Sequence, residues 1–126
     1  MTLKDYTILV VDDDDDLREL MLTIFESNGF TVLSAGSGSA AFELVKTQRI
    51  DLLVSDMRMP GGDGMSLLEN VRAFNPKIPV VIFVTGFSDV SVAECLAKGA
   101  TSVFAKPFNQ KELINAVKTA LDIPIS

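Results

Sequence analysis

Five short apolar runs alternate along the chain with five stretches whose apolar residues recur every three or four positions. The runs Thr7–Val11, Thr31–Ala35, Asp51–Ser55, Val80–Val84 and Ser102–Ala105 read as buried strands. Between them, helical spacing links Leu17, Leu20, Met21, Ile24 and Phe25, then Ala41, Leu44 and Val45, then Leu67, Leu68 and Val71. It returns in Val92, Leu96 and Ala97, and in Leu113, Val117 and Leu121. Gly29 and Gly99 stand where helices would stop before the next strand, and Pro124 ends the last helix. Phe25, Phe42, Phe74 and Phe83 read as core residues, and Cys95 as a small helix residue without a redox role.

Five strand–helix units joined by short loops predict an α/β domain with a parallel sheet covered on both faces. The expected fold is a flavodoxin-like, doubly wound (βα)5 arrangement of five strands. Its order, 2-1-3-4-5, is taken from known folds of this kind rather than read from the pattern. No linker or repeat divides the chain, so residues 1–126 are expected to form a single domain.

Composition narrows the chemistry. The 126 residues are 48% apolar and carry a net charge of −6. A general basic surface for nucleic acid is therefore not expected. No apolar run approaches the ~20 residues of a membrane span, and the N-terminus lacks a signal-peptide apolar region. The single Cys95 excludes an internal disulfide and fits a reducing cytoplasm. The chain has no histidine, which removes the commonest general base and zinc ligand. Carboxylates, hydroxyls and lysines must do whatever chemistry there is.

Ligands of doubly wound sheets bind beyond the carboxyl ends of the strands. The first strand runs into Asp12 and Asp13, which open a run of five aspartates. The third runs into Asp56, the fourth into Thr85 and Gly86, and the fifth into Lys106 and Pro107. The first and third strands are neighbours in the expected order, so Asp12, Asp13 and Asp56 should share one pocket flanked by Thr85 and Lys106. Adjacent unit charges about 4 Å apart repel by roughly 4 kcal/mol at an effective dielectric near 20. Three converging carboxylates without His or Cys suit a hard divalent cation, above all Mg2+. A carboxylate can also serve as a nucleophile toward phosphorus, given a cation and a hydroxyl donor nearby. Asp14, Asp15 and Asp16 read instead as helix-start charge.

Four segments, spread over essentially the whole chain, make a specific resemblance. They are Val10-Val11-Asp12-Asp13, the stretch Asp56-Met57-Arg58-Met59-Pro60-Gly61-Gly62-Asp63-Gly64, Val84-Thr85-Gly86, and Ala105-Lys106-Pro107-Phe108. In this order and spacing the chain resembles a response-regulator receiver domain of two-component signalling. The resemblance implies a phosphoacceptor signalling domain rather than an enzyme, with Asp56 taking the phosphoryl group. It implies Mg2+ held by Asp13, Asp56 and the backbone carbonyl of Arg58, with Asp12 helping mainly through water. Thr85 would bind a phosphate oxygen, and Lys106 would pair with Asp56 and then with the phosphate. The Lys106–Pro107 bond is expected to be cis. The implied partner is a sensor histidine kinase or phosphotransfer protein. The implied switching surface is the fourth helix, fifth strand and fifth helix, through which a homodimer is also expected.

Other readings compete for the same residues. Gly36-Ser37-Gly38-Ser39-Ala40-Ala41 matches a dinucleotide-binding pattern, but a turn with Ser37 or Ser39 as helix cap explains it more simply. Asp12 and Asp14 resemble the nucleophile and acid/base of haloacid-dehalogenase-type phosphatases. That reading leaves the Asp56 segment idle, and the Thr or Val expected two residues after the second Asp is Asp16. A phosphorylation-independent interaction module is the third alternative. The chain also departs from the receiver pattern. Val103 stands where Tyr or Phe is common, and Phe104 should face the other side of the strand. Arg58 and Phe87 would border the phosphate, where their bulk is expected to restrict attacking water.

Overall fold

The five apolar runs close into one parallel sheet in the order β2-β1-β3-β4-β5, as expected. The computed structural model describes residues 2–57, 64–84, 92–105 and 108–124. After a single 3-10 turn at Leu3–Asp5, the elements run β1 (Thr7–Val11), α1 (Asp15–Ser27), β2 (Thr31–Ala35), α2 (Gly38–Thr47) and β3 (Leu52–Asp56). They continue as α3 (Gly64–Phe74), β4 (Val80–Val84), α4 (Val92–Ala97), β5 (Ser102–Ala105) and α5 (Gln110–Ala120). β3 is central, between β1 and β4, and β1 pairs Leu9 with Leu33 of β2 on one side and with Leu53 of β3 on the other.

Strand alternation sorts the core into two layers. Leu9, Val11, Leu53, Val80 and Ile82 face α2, α3 and α4, where Ala41, Val45, Leu68, Val71 and Cys95 complete the packing. Ile8, Val10, Leu52, Val54, Val81 and Phe83 face α1 and α5, against Met21, Phe25, Leu113 and Val117. Because both faces are covered, the strands read as continuous apolar runs rather than alternating ones.

The chain reverses where glycine permits it. Gly29 and Gly99 adopt φ of +96° and +107°, a left-handed conformation that costs a side chain energy but suits glycine. Three details differ from the sequence pattern. β3 starts and ends one residue later than Asp51–Ser55, although Asp51 still donates its amide to the Thr7 carbonyl at 2.9 Å and accepts the Thr7 amide on its carboxylate at 2.8 Å. Asp56 thereby becomes the last rung of the ladder, opposite Phe83. Leu20 is half exposed, lying off the stripe formed by Met21, Ile24 and Phe25. Phe74 is also half exposed at the end of α3, where its ring meets that of the partly buried Phe42 edge-on at 6.0 Å. Among the described residues, no helix is long and apolar enough to cross a membrane.

Candidate functional site

The β1–α1 corner is fixed residue by residue. Asp12 leaves the strand with its amide donating to the Ala35 carbonyl of β2 at 3.2 Å. Its side chain is 1% exposed, and Oδ1 accepts the Asp14 amide at 2.9 Å. Asp14 is the N-cap of α1, with its carboxylate accepting the Leu17 amide at 3.1 Å. Asp15 and Asp16 fill the first turn, where the helix dipole favours negative charge. Asp14, Asp15 and Asp16 thus stand at the helix start, as expected from the sequence. Asp14 spends its carboxylate on the helix, which leaves it poorly placed as a phosphatase acid/base.

Across the strand boundary, Asp56 ends β3 and is 8% exposed. Its neighbours are tied as well. The Met57 amide donates to the Phe83 carbonyl at 2.8 Å, and Ser55 Oγ donates to the Asp56 carbonyl at 2.9 Å. The first residue of α3, Gly64, returns so closely that its amide donates to the Met57 carbonyl at 2.7 Å. A Cβ on Gly64 would overlap the Asp56 carbonyl and lie 2.9 Å from Met57 Cα. Glycine is therefore required there by close approach of backbone to backbone. Gly64 lies in the segment that carried the resemblance, yet only packing reveals its reason.

These two corners bring Asp12, Asp13 and Asp56 together. One carboxylate oxygen from each lies within 4.8 Å of the other two, with Asp12 and Asp56 buried and Asp13 exposed. Desolvated carboxylates that close are costly unless a cation offsets their charge. The donor set is entirely carboxylate oxygen, which is compatible with a hard divalent metal and unlike a zinc or copper site. Thr85 follows β4 and Lys106 follows β5 in the chain. Both lie outside the described residues, as do Arg58, Phe87, Gly61, Gly62 and the Lys106–Pro107 bond.

Nearby features settle smaller points. Ser37 caps α2 by accepting the Ala40 amide at 3.2 Å, so the glycine-rich turn has a structural explanation without a nucleotide. Val103 packs on the α2–α3–α4 side, while Phe104 packs on the α1–α5 side, its ring 6.0 Å from that of Phe83. Cys95 is buried, and burial pushes its thiol above the ordinary pKa, with the neighbouring Glu94 charge adding to the effect.

Sheet order and acid cluster together define a flavodoxin-like domain with an acidic site where β1 and β3 end, beside the switch in strand order. Comparison with known proteins makes the class specific. A family profile for the response regulator receiver domain matches residues 8–118, and the chain belongs to that family. It is 35% identical over 115 residues to the C4-dicarboxylate transport transcriptional regulatory protein DctD of Rhizobium meliloti, covering 90% of this chain and 25% of that protein. It is 34% identical over 117 residues to sporulation initiation phosphotransferase F of Bacillus subtilis, covering 92% and 94% respectively. The chain thus spans about a quarter of one relative and nearly all of the other. A solved receiver domain protein from Clostridium thermocellum superposes with a TM-score of 0.88 at 25% identity, covering 93% of this chain and 94% of that one. The domain is a phosphoacceptor of two-component signal transduction, not a conventional enzyme, and the phosphatase reading is not favoured.

Proposed function

We propose that Asp56 accepts the phosphoryl group and that Asp12, Asp13 and Asp56 hold Mg2+ beside it. The observation that carries this reading is the convergence of the three carboxylates at the ends of adjacent strands. In the step itself, a carboxylate oxygen of Asp56 attacks phosphorus. The new P–O bond forms as the P–N bond to the donor's imidazole breaks, and the imidazole leaves with that electron pair. In this reading the donor is a phosphohistidine on a sensor histidine kinase or phosphotransfer protein, because the chain has no histidine of its own to supply one. Mg2+ held by these acids would supply charge neutralisation for the transfer. Asp13 and Asp56 would hold it directly together with the Arg58 carbonyl, and Asp12 would help mainly through water. Lys106 adds a second cation, and Thr85 a hydroxyl donor.

Residues 1–126 act as one receiver unit in the cytoplasm, with no direct contact to nucleic acid. The signal leaves through α4, β5 and α5. That face also supports a homodimer, since Val92 and Leu96 of α4 are 49% and 48% exposed. Phosphorylation shifts this surface only through contacts that differ between the two states.

Intact mass after treatment with acetyl phosphate and Mg2+ tests the assignment. The expected result is a gain of one acid-labile phosphoryl group, lost in Asp56→Asn. Steady turnover of a phosphate ester that depends on Asp12 would favour the phosphatase instead. Unchanged partner binding by Asp56→Ala would favour a phosphorylation-independent module.

A further inference from the structure

Arg18 sits one turn into α1 and reaches back toward the acids. Its Nη1 donates to the Asp12 carbonyl at 2.8 Å, and its Nη2 pairs with Asp15 Oδ1. The side chain is mostly buried, and the guanidinium lies over Gly36 of the β2–α2 turn, where a Cβ would stand 3.4 Å from Nη1. The planar fork therefore touches three segments: the end of β1, the start of α1 and the turn after β2.

The carbonyl it holds belongs to the peptide group that joins Asp12 to Asp13. Asp12 is otherwise secured by burial, by its amide bond to Ala35 and by its own side chain. Asp13 is exposed, so its direction depends on how that peptide plane is turned. We infer that Arg18 is a positioning residue that locks the Asp12–Asp13 peptide plane and so aims the Asp13 carboxylate into the cation site. The inference rests on the cation-site reading above.

Charge and position give opposite signs, which makes the role measurable. A positive group beside three carboxylates repels a divalent cation, so removing it as a charge alone strengthens cation binding. Losing the groups that orient a metal ligand typically weakens binding by about 10- to 100-fold. Lysine keeps the charge but not the planar fork that serves two acceptors at fixed angles.

The test is isothermal titration of the unphosphorylated protein with Mg2+ alone, beside a thermal melt of each variant. Arg18→Met is expected to bind Mg2+ about tenfold more weakly than wild type, with its melting temperature close to wild type. Arg18→Lys should fall between them. Binding by Arg18→Met as tight as wild type, or tighter, overturns the inference. Should Arg18→Met fail to fold, Arg18→Lys carries the test alone: weaker binding with the charge retained supports positioning, and equal binding overturns it. A wild-type protein that binds no Mg2+ overturns the cation-site reading itself and this inference with it.

Discussion

Around Asp12 and Asp13, successive residues are tied by the Ala35 carbonyl, the Asp14 cap and the Arg18 fork, whereas the α4–β5 edge carries far less cover. Among the described residues of α4, Val92–Ala97, only Cys95 is buried. Val92 and Leu96 stay half exposed, and none of the four β5 residues is fully buried. One end of the sheet is built to hold charges still. The other offers apolar surface under light restraint. Elements that move in signalling come from the less stable parts of a fold.

Phe83 joins the two regions, standing opposite Asp56 on one side and Phe104 on the other. Its ring also packs 5.0 Å from that of Phe108. Phe83→Ala should damage both regions at once, costing about 4 kcal/mol in urea unfolding. Gly64→Ala attacks the acid end alone. Two backbone segments must separate to admit the methyl, so about 2–3 kcal/mol is expected, with slower phosphorylation in the acetyl phosphate assay. A loss below about 0.5 kcal/mol would show that the α3 entry gives way easily and that the acid corner is softer than drawn. Asp14→Ala removes the α1 cap and should cost about 1 kcal/mol, read by the same unfolding experiment.

The α4 edge should respond differently. Folding raises the Cys95 thiol pKa, so the native state holds that proton more tightly than the unfolded chain. The resulting stability is present at neutral pH and is lost as pH climbs past the unfolded thiol's value of about 8.5. Urea midpoints measured from pH 7 to 10 should therefore fall more steeply in wild type than in Cys95→Ala. Parallel curves would remove the thiol as an anchor of α4. Leu96→Ser should have the smallest effect on stability, within about 0.5 kcal/mol, while lowering any self-association seen by analytical ultracentrifugation. A large loss of stability there would erase the contrast between the two regions.

The alternation of apolar runs and helical spacing was enough to place every strand and to read an α/β parallel sheet, because buried parallel strands are continuous apolar runs set between helical patterns, while the strand order came from known folds. A boundary error still mattered at β3. Asp51 reads as a strand residue and does bond Thr7 through both its amide and its carboxylate, yet the strand runs Leu52–Asp56, which puts Asp56 in the ladder. The three acids were legible because strand ends converge in a doubly wound sheet. Arg18 was not, since the endpoint of a long flexible side chain leaves no trace in residue spacing. Gly64 was visible as part of a segment, but the crowding that demands glycine exists only once α3 folds back on β3. Leu20 and Phe74 fit a helical apolar pattern without being buried, as residues at the margin of a stripe or the end of a helix often are.

The parallel sheet also sets the order of events in folding. Thr7 and Asp51, joined across β1 and β3, are 44 positions apart in the chain. No local hairpin can bring those strands together, and the intervening β2–α2 unit lies in the loop that must close. Such non-local pairings are slow to form, because the chain gives up its freedom before the contacts repay it. Asp12 and Asp56 therefore meet only after a long-range search. The acidic pocket exists only once β1 and β3 have paired.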